Sequence, residues 1–64
     1  MNSIESLVAW TNKALGESHI APIAKIKLWQ VSLSIIKDGG LRGDISKAWL
    51  EEGYTIADIP DLYL

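Results

Sequence analysis

A chain of 64 residues without a cysteine must be held together by packing or by association. Domains of this size bury only about 60% of the surface their unfolded chains expose. Natural ones usually add disulfides, a metal or a partner. The absence of cysteine removes disulfides and thiolate metal sites. A single histidine, His19, argues against a histidine-built metal centre. No cofactor is expected. Dense packing or self-association remains, and aromatic area is the obvious material. Trp10, Trp29 and Trp49 are almost evenly spaced, with Tyr54 and Tyr63 and no Phe. Each ring can bury on the order of 150–250 Å².

Apolar residues make up 48% of the chain and charged ones 22%, which suits one globular domain over residues 1–64 rather than a disordered segment. The net charge is −2, unevenly spread. Lys13, Lys25, Lys27 and Lys37 outweigh Glu5, Glu17 and Asp38 in residues 1–40. Beyond them, Asp44, Glu51, Glu52, Asp58 and Asp61 outweigh Arg42 and Lys47. That acidic balance argues against a surface that follows phosphates, because nucleic-acid affinity rests on clustered Lys and Arg. No apolar run approaches the roughly 18 residues of a membrane span. The N-terminus lacks the basic-then-apolar pattern of a secretory signal, so the cytoplasm is the expected location.

The pattern predicts an all-α fold: a small three-helix bundle with a short C-terminal fourth helix or turn. The first helix is expected over Asn2 to Leu15. Asn2 and Glu5 have capping-box spacing, and Ile4, Leu7, Val8, Thr11 and Leu15 share a face with Trp10 and Ala14 at its edge. Lys13 suits the C-terminal dipole, and Gly16 is a stop. Pro22 suits the first turn of the second helix. Over Ile23 to Lys37 two apolar stripes run, Ile26-Trp29-Leu33-Ile36 and Ala24-Leu28-Val31-Ile35, flanking Lys25 and Ser32. So wide an apolar arc needs cover on two sides, which makes this helix central. Gly39 and Gly40 end it.

A β-hairpin over residues 26–45 is the competing reading. Val31 to Ile35 alternates, and Asp38-Gly39 is a hairpin dipeptide. Helix is preferred because Trp29-Gln30 breaks the phase and Leu41 to Ile45 is poor strand material. Asp44 then caps a third helix, Ile45 to Glu52, with Ile45, Ala48 and Trp49 inward and Gly53 as its stop. Thr55 and Asp58 form a weaker capping box for the fourth element, which Pro60 interrupts.

Motifs that could carry chemistry are sparse. Residues 45–62 have helix-turn-helix form, but the second helix would offer two carboxylates, a proline and no side chain suited to base edges. Gly39 to Gly43 is glycine-rich before a helix, yet Asp44 would repel a phosphate there. Arg42-Gly43-Asp44 matches an integrin-recognition tripeptide, a pattern short enough to recur by chance. His19 sits in a polar connection with no evident partner. Glu51 and Glu52 point about 100° apart on a helix and do not form an acid–base pair. The tail Leu62-Tyr63-Leu64 suits packing on the second helix better than addition to a sheet edge.

The sequence therefore leads to a small non-enzymatic protein-binding module, an adaptor, inhibitor or regulator that self-associates through apolar and Trp surface. A small DNA-associated regulator using residues 45–62 and an accessory subunit of a larger complex are the alternatives. Partner contacts are expected at Trp49, then Trp10, and at Tyr54, Glu51, Glu52, Asp58, Leu62 and Leu64. Trp29, inside a stripe, is assigned to the core.

Overall fold

Three helices account for most of the chain in a computed structural model that describes residues 3–63: α1 (Ser3–Gly16), α2 (Pro22–Lys37) and α3 (Arg42–Glu51). No strand occurs among the described residues, so residues 26–45 are helix and turn, and the hairpin is not formed. The reason lies in what is buried on α2. Leu28, Ser32 and Ile36, at helical spacing, form its buried line, which a two-residue alternation could not place on one face.

On α1 the buried residues are Leu7, Thr11, Ala14 and Leu15. The face is rotated toward Ala14 relative to the expected one, and Ile4 is exposed. Thr11 is tolerated inside because its hydroxyl donates to the Leu7 carbonyl at 2.8 Å. The proposed cap Asn2 lies outside the described residues. At the far end the Ser18 hydroxyl donates to the Leu15 carbonyl at 2.7 Å, satisfying one of the helix's last acceptors.

Pro22 occupies the first turn of α2 behind an extended Ala21, a position where its missing N–H costs nothing. The other end closes by a Schellman turn. Gly39 takes φ 87, its N–H donates to Ile36 at 3.1 Å, and the Gly40 N–H donates to Ile35 at 2.8 Å. The end of α3 repeats the device. Gly53 has φ 98, with its N–H on Leu50 at 3.0 Å and the Tyr54 N–H on Trp49 at 3.2 Å.

The start of α3 corrects the expected one. Asp44 is not the cap: the helix begins at Arg42 behind Leu41, and Asp44 Oδ2 reaches back to accept the Leu41 N–H at 2.8 Å. Leucine has no side-chain acceptor, so only the backward half of a capping box exists.

No fourth helix forms among the described residues; Ile56 to Asp58 is a turn. Of the Thr55–Asp58 box only the backward half forms: Asp58 Oδ2 accepts the Thr55 N–H at 3.1 Å and its hydroxyl at 3.2 Å, while the Asp58 N–H goes to the Thr55 carbonyl. One α-turn closes, Ile59 N–H to Thr55 at 2.9 Å. The next bond would need an N–H from residue 60, which is proline. The helix-turn-helix geometry over residues 45–62 is therefore not assembled.

The tail still fills the fourth position. The His19 N–H donates to Asp58 at 2.8 Å, tying the α1–α2 connection to the tail. Further on, the Tyr63 N–H donates to Ser46 Oγ at 2.9 Å, so the tail runs back along α3. Its Ile59 and Leu62 join Leu7, Ala14, Leu15, Leu28, Ile36, Ile45 and Trp49 in one core. The α2 helix packs on both others, as its wide apolar arc predicts, while α1 and α3 approach each other far less.

Candidate functional site

The gap between α1 and α3 is bridged by aromatic rings. Trp10 of α1 stacks on Trp49 of α3, centroids 5.3 Å apart and planes 9° from parallel. An offset aromatic stack of this kind contributes roughly 0.5–1.5 kcal/mol beyond burial. Trp49 is fully enclosed, at 0% exposure. Its indole N–H donates to Ser32 Oγ at 3.0 Å, and that hydroxyl donates on to the Leu28 carbonyl at 2.7 Å. Ser32 is thus the polar partner that lets the indole be buried inside the apolar arc of α2.

This arrangement reverses the expected order of the tryptophans. Trp49 is core, not a partner contact, and Trp29 is only half-buried. Lys47 and Glu51 flank Trp49 in sequence but lie on other faces of the helix turn, which is why the neighbourhood reads as exposed. Leu62 is likewise buried, so it too is closed to a partner without unfolding. Tyr54 is half-buried against the core. Glu51 is exposed. Glu52 is taken up by Lys27 at 3.0 Å, and that carboxylate holds the Lys27 ammonium above its ordinary pKa through its hydrogen bond and then its charge. Asp58 is occupied by Thr55. Leu64 lies outside the described residues. Among the described residues, only Trp49 and Leu62 of the expected contacts are enclosed; Glu51 and Glu52 are exposed and Trp10, Tyr54 and Asp58 partly so.

Two surfaces that the expected contacts largely omit are better placed. One is a groove that runs along α1, from its first turn to Lys13 in its last, beside the N-terminal end of α3. It has a lobe of about 600 Å³ between Ser6, Leu7, Leu41 and Tyr63 and a lobe of about 360 Å³ between Trp10, Lys13 and Arg42. Ser6 and Arg42 belong to both lobes. Leu41 and Tyr63 stand at the rim with 65% and 56% of their surface exposed. The Arg42 guanidinium lies over the Trp10 ring, 5.8 Å from its centroid. In sequence Arg42 registers only as part of the Arg42-Gly43-Asp44 tripeptide; in the fold that tripeptide is the first turn of α3, with the Asp44 carboxylate turned onto Leu41.

The other surface is the outer edge of α2. Ile23, Ile26 and Leu33 are 80%, 58% and 38% exposed, beside half-buried Trp29. A shallow depression of about 270 Å³ lies there between Ile26 and Trp29 of α2 and Asn12 and Leu15 of α1. The signal for this edge was in the sequence, because the stripe through Ile26, Trp29 and Leu33 needs a cover. The tail covers the core instead.

Among the described residues no group of three or more His, Cys, Asp or Glu is placed to hold a metal ion. No described helix is long and apolar enough to cross a membrane. His19 is exposed. Comparison of the chain with protein-family models, with curated proteins and with solved structures finds no match, so a functional reading has to rest on these two surfaces.

Proposed function

We infer that this chain is a small non-enzymatic protein-binding module that self-associates through the outer edge of α2. The observation that carries the reading is the exposure of Ile23, Ile26 and Leu33 on a helix whose opposite side is fully packed. Contiguous apolar surface is normally buried, and where it is not it marks an interaction site. Ile26, Trp29 and Leu33 follow the i, i+3, i+7 spacing of a helix–helix seam, so a second α2 fits the edge in shape. An accessory-subunit role is the same reading with a larger partner. The DNA-associated alternative depended on a second helix after Gly53, and residues 55–62 supply none.

Sedimentation equilibrium over a wide concentration range tests the reading. A concentration-dependent dimer that Ile26→Glu abolishes is the expected result. The edge bears Lys25 and Lys37, with Lys27 offset by Glu52, and α2 itself has no carboxylate, so apposed copies repel weakly and added salt tightens the dimer. A monomer at every concentration, unchanged by Ile26→Glu, rejects self-association.

A further inference from the structure

We propose that the groove between α1 and the N-terminal end of α3 binds an acidic peptide segment of a partner protein, its carboxylate on Arg42 and Lys13 and an adjacent apolar side chain against Leu7, Leu41 and Tyr63. This face is separate from the α2 edge, and the proposal stands or falls independently of self-association.

The charges come first. Among the described residues the one ion pair is Lys27–Glu52, so Arg42 and Lys13 have no described carboxylate within ion-pair distance. Both border the same lobe, beside Trp10. Arg42 is held over the indole face, which orients a guanidinium while leaving its edge donors open to a carboxylate. The α1 wall of the groove contributes no acidic side chain. Among the described residues that line the groove the one carboxylate is Asp44, whose Oδ2 is turned back to accept the Leu41 N–H. That hydrogen bond does not remove its charge, so the peptide carboxylate belongs in the Lys13 lobe, which Asp44 does not line.

The second lobe supplies the apolar half of recognition. Leu41 and Tyr63 project at its rim, and Leu7 closes the floor with only its outer edge exposed. Because the lobes meet at Ser6 and Arg42, a carboxylate and an apolar side chain one or two residues apart can reach both. Nucleic acid suits the site less: the groove offers two cations, Lys13 and Arg42, enough for one carboxylate but not for the row of phosphates that carries a polyanion's affinity.

A phage-displayed library of random nine-residue peptides, selected on the intact chain, provides the probe. Enriched peptides should pair Asp or Glu with a large apolar residue. The best of them, synthesised and titrated by fluorescence anisotropy, should lose at least tenfold in affinity to Arg42→Glu and several-fold to Lys13→Glu. Tyr63→Ala should weaken binding without altering its salt dependence. Lys47→Glu, the same charge change on the far side of α3, should leave binding unchanged. Circular dichroism of each variant confirms folding; Lys13→Glu and Tyr63→Ala carry the test should Arg42→Glu fail to fold. The proposal is overturned if no peptides are enriched, if enriched peptides are basic or uncharged, or if Lys47→Glu weakens binding as much as Arg42→Glu. Displacement of the peptide by a 20-base-pair duplex at lower concentration, or an Arg42-dependent dimer in its place, also overturns it.

Discussion

The inner line and the outer edge of α2 are built from the same kinds of residue and meet opposite fates. Leu28, Ser32 and Ile36 are buried between α1 and α3, while Ile23, Ile26 and Leu33 stand in water. The only polar residue of the inner line, Ser32, is the better buried of the two sets' members because Trp49 donates to it. Burial on this helix is thus decided by whether a neighbour faces the residue, and only weakly by how apolar the residue is. A serine with an indole N–H above it belongs inside; an isoleucine with nothing above it does not.

The contrast is broken most severely by removing the ring that the inner line encloses. Trp49→Ala deletes a fully buried side chain, and such truncations cost about 3–5 kcal/mol. A domain of this size has roughly 3–10 kcal/mol to lose. The variant should be largely unfolded at 37 °C by circular dichroism; a native-like melt would show that the core does not depend on Trp49.

Next in size is the polar partner. Ser32→Ala leaves the indole N–H without an acceptor in a dry site, at about 1–3 kcal/mol. At concentrations low enough to keep the chain monomeric, Leu33→Ser, one residue along on the open side, should change stability by about 0.5 kcal/mol or less. Urea denaturation of the pair measures the contrast directly. Equal losses in the monomer would mean that Leu33 is packed within the chain itself; a loss that grows with protein concentration is what the proposed dimer adds.

Gly53→Ala tests the ends rather than the faces. No atom lies within 4 Å of the added Cβ, so the effect is backbone strain at φ 98, about 1–2 kcal/mol. A neutral result would place the Schellman turn outside the cooperative unit.

The smallest effect belongs to Lys27–Glu52, on the exposed flank of α2. The pair raises the Lys27 pKa above 10.5. Its contribution is therefore complete below the unfolded value and is lost as pH rises through the higher folded one. Across neutral pH Glu52→Gln should leave the melting midpoint nearly unchanged, because exposed pairs are screened. A drop of several degrees that salt abolishes would give this surface pair a structural role.

Much of the fold was legible because it depends on neighbours in the chain. Pro22 opens α2, and Gly39 and Gly53 close helices through local hydrogen bonds. The three-helix framework and the central place of α2 follow from i, i+4 periodicity alone. Two local readings failed. Asp44 resembles a cap, yet the helix starts earlier and uses it from the third position. The Thr55–Asp58 pair forms only the backward half of its box, and Pro60 ends the helix after one turn.

The surfaces were much less legible. Trp49 sits between charged neighbours, and nothing within α3 says that Ser32, 17 residues earlier, will receive its N–H. Arg42 gains its place over Trp10 only when α1 and α3 are brought side by side. The tail's Ile59 and Leu62 enter the core by running back along α3, an outcome of two contacts, His19 with Asp58 and Ser46 with Tyr63. The sequence by itself determined that there are three helices, where α2 opens and where α2 and α3 close, and that α2 would need cover on two sides, because those depend on dihedral preference and short-range period. The tertiary structure alone decided which tryptophan is core and which apolar and cationic side chains remain at the surface, because burial is a relation between segments distant in the chain.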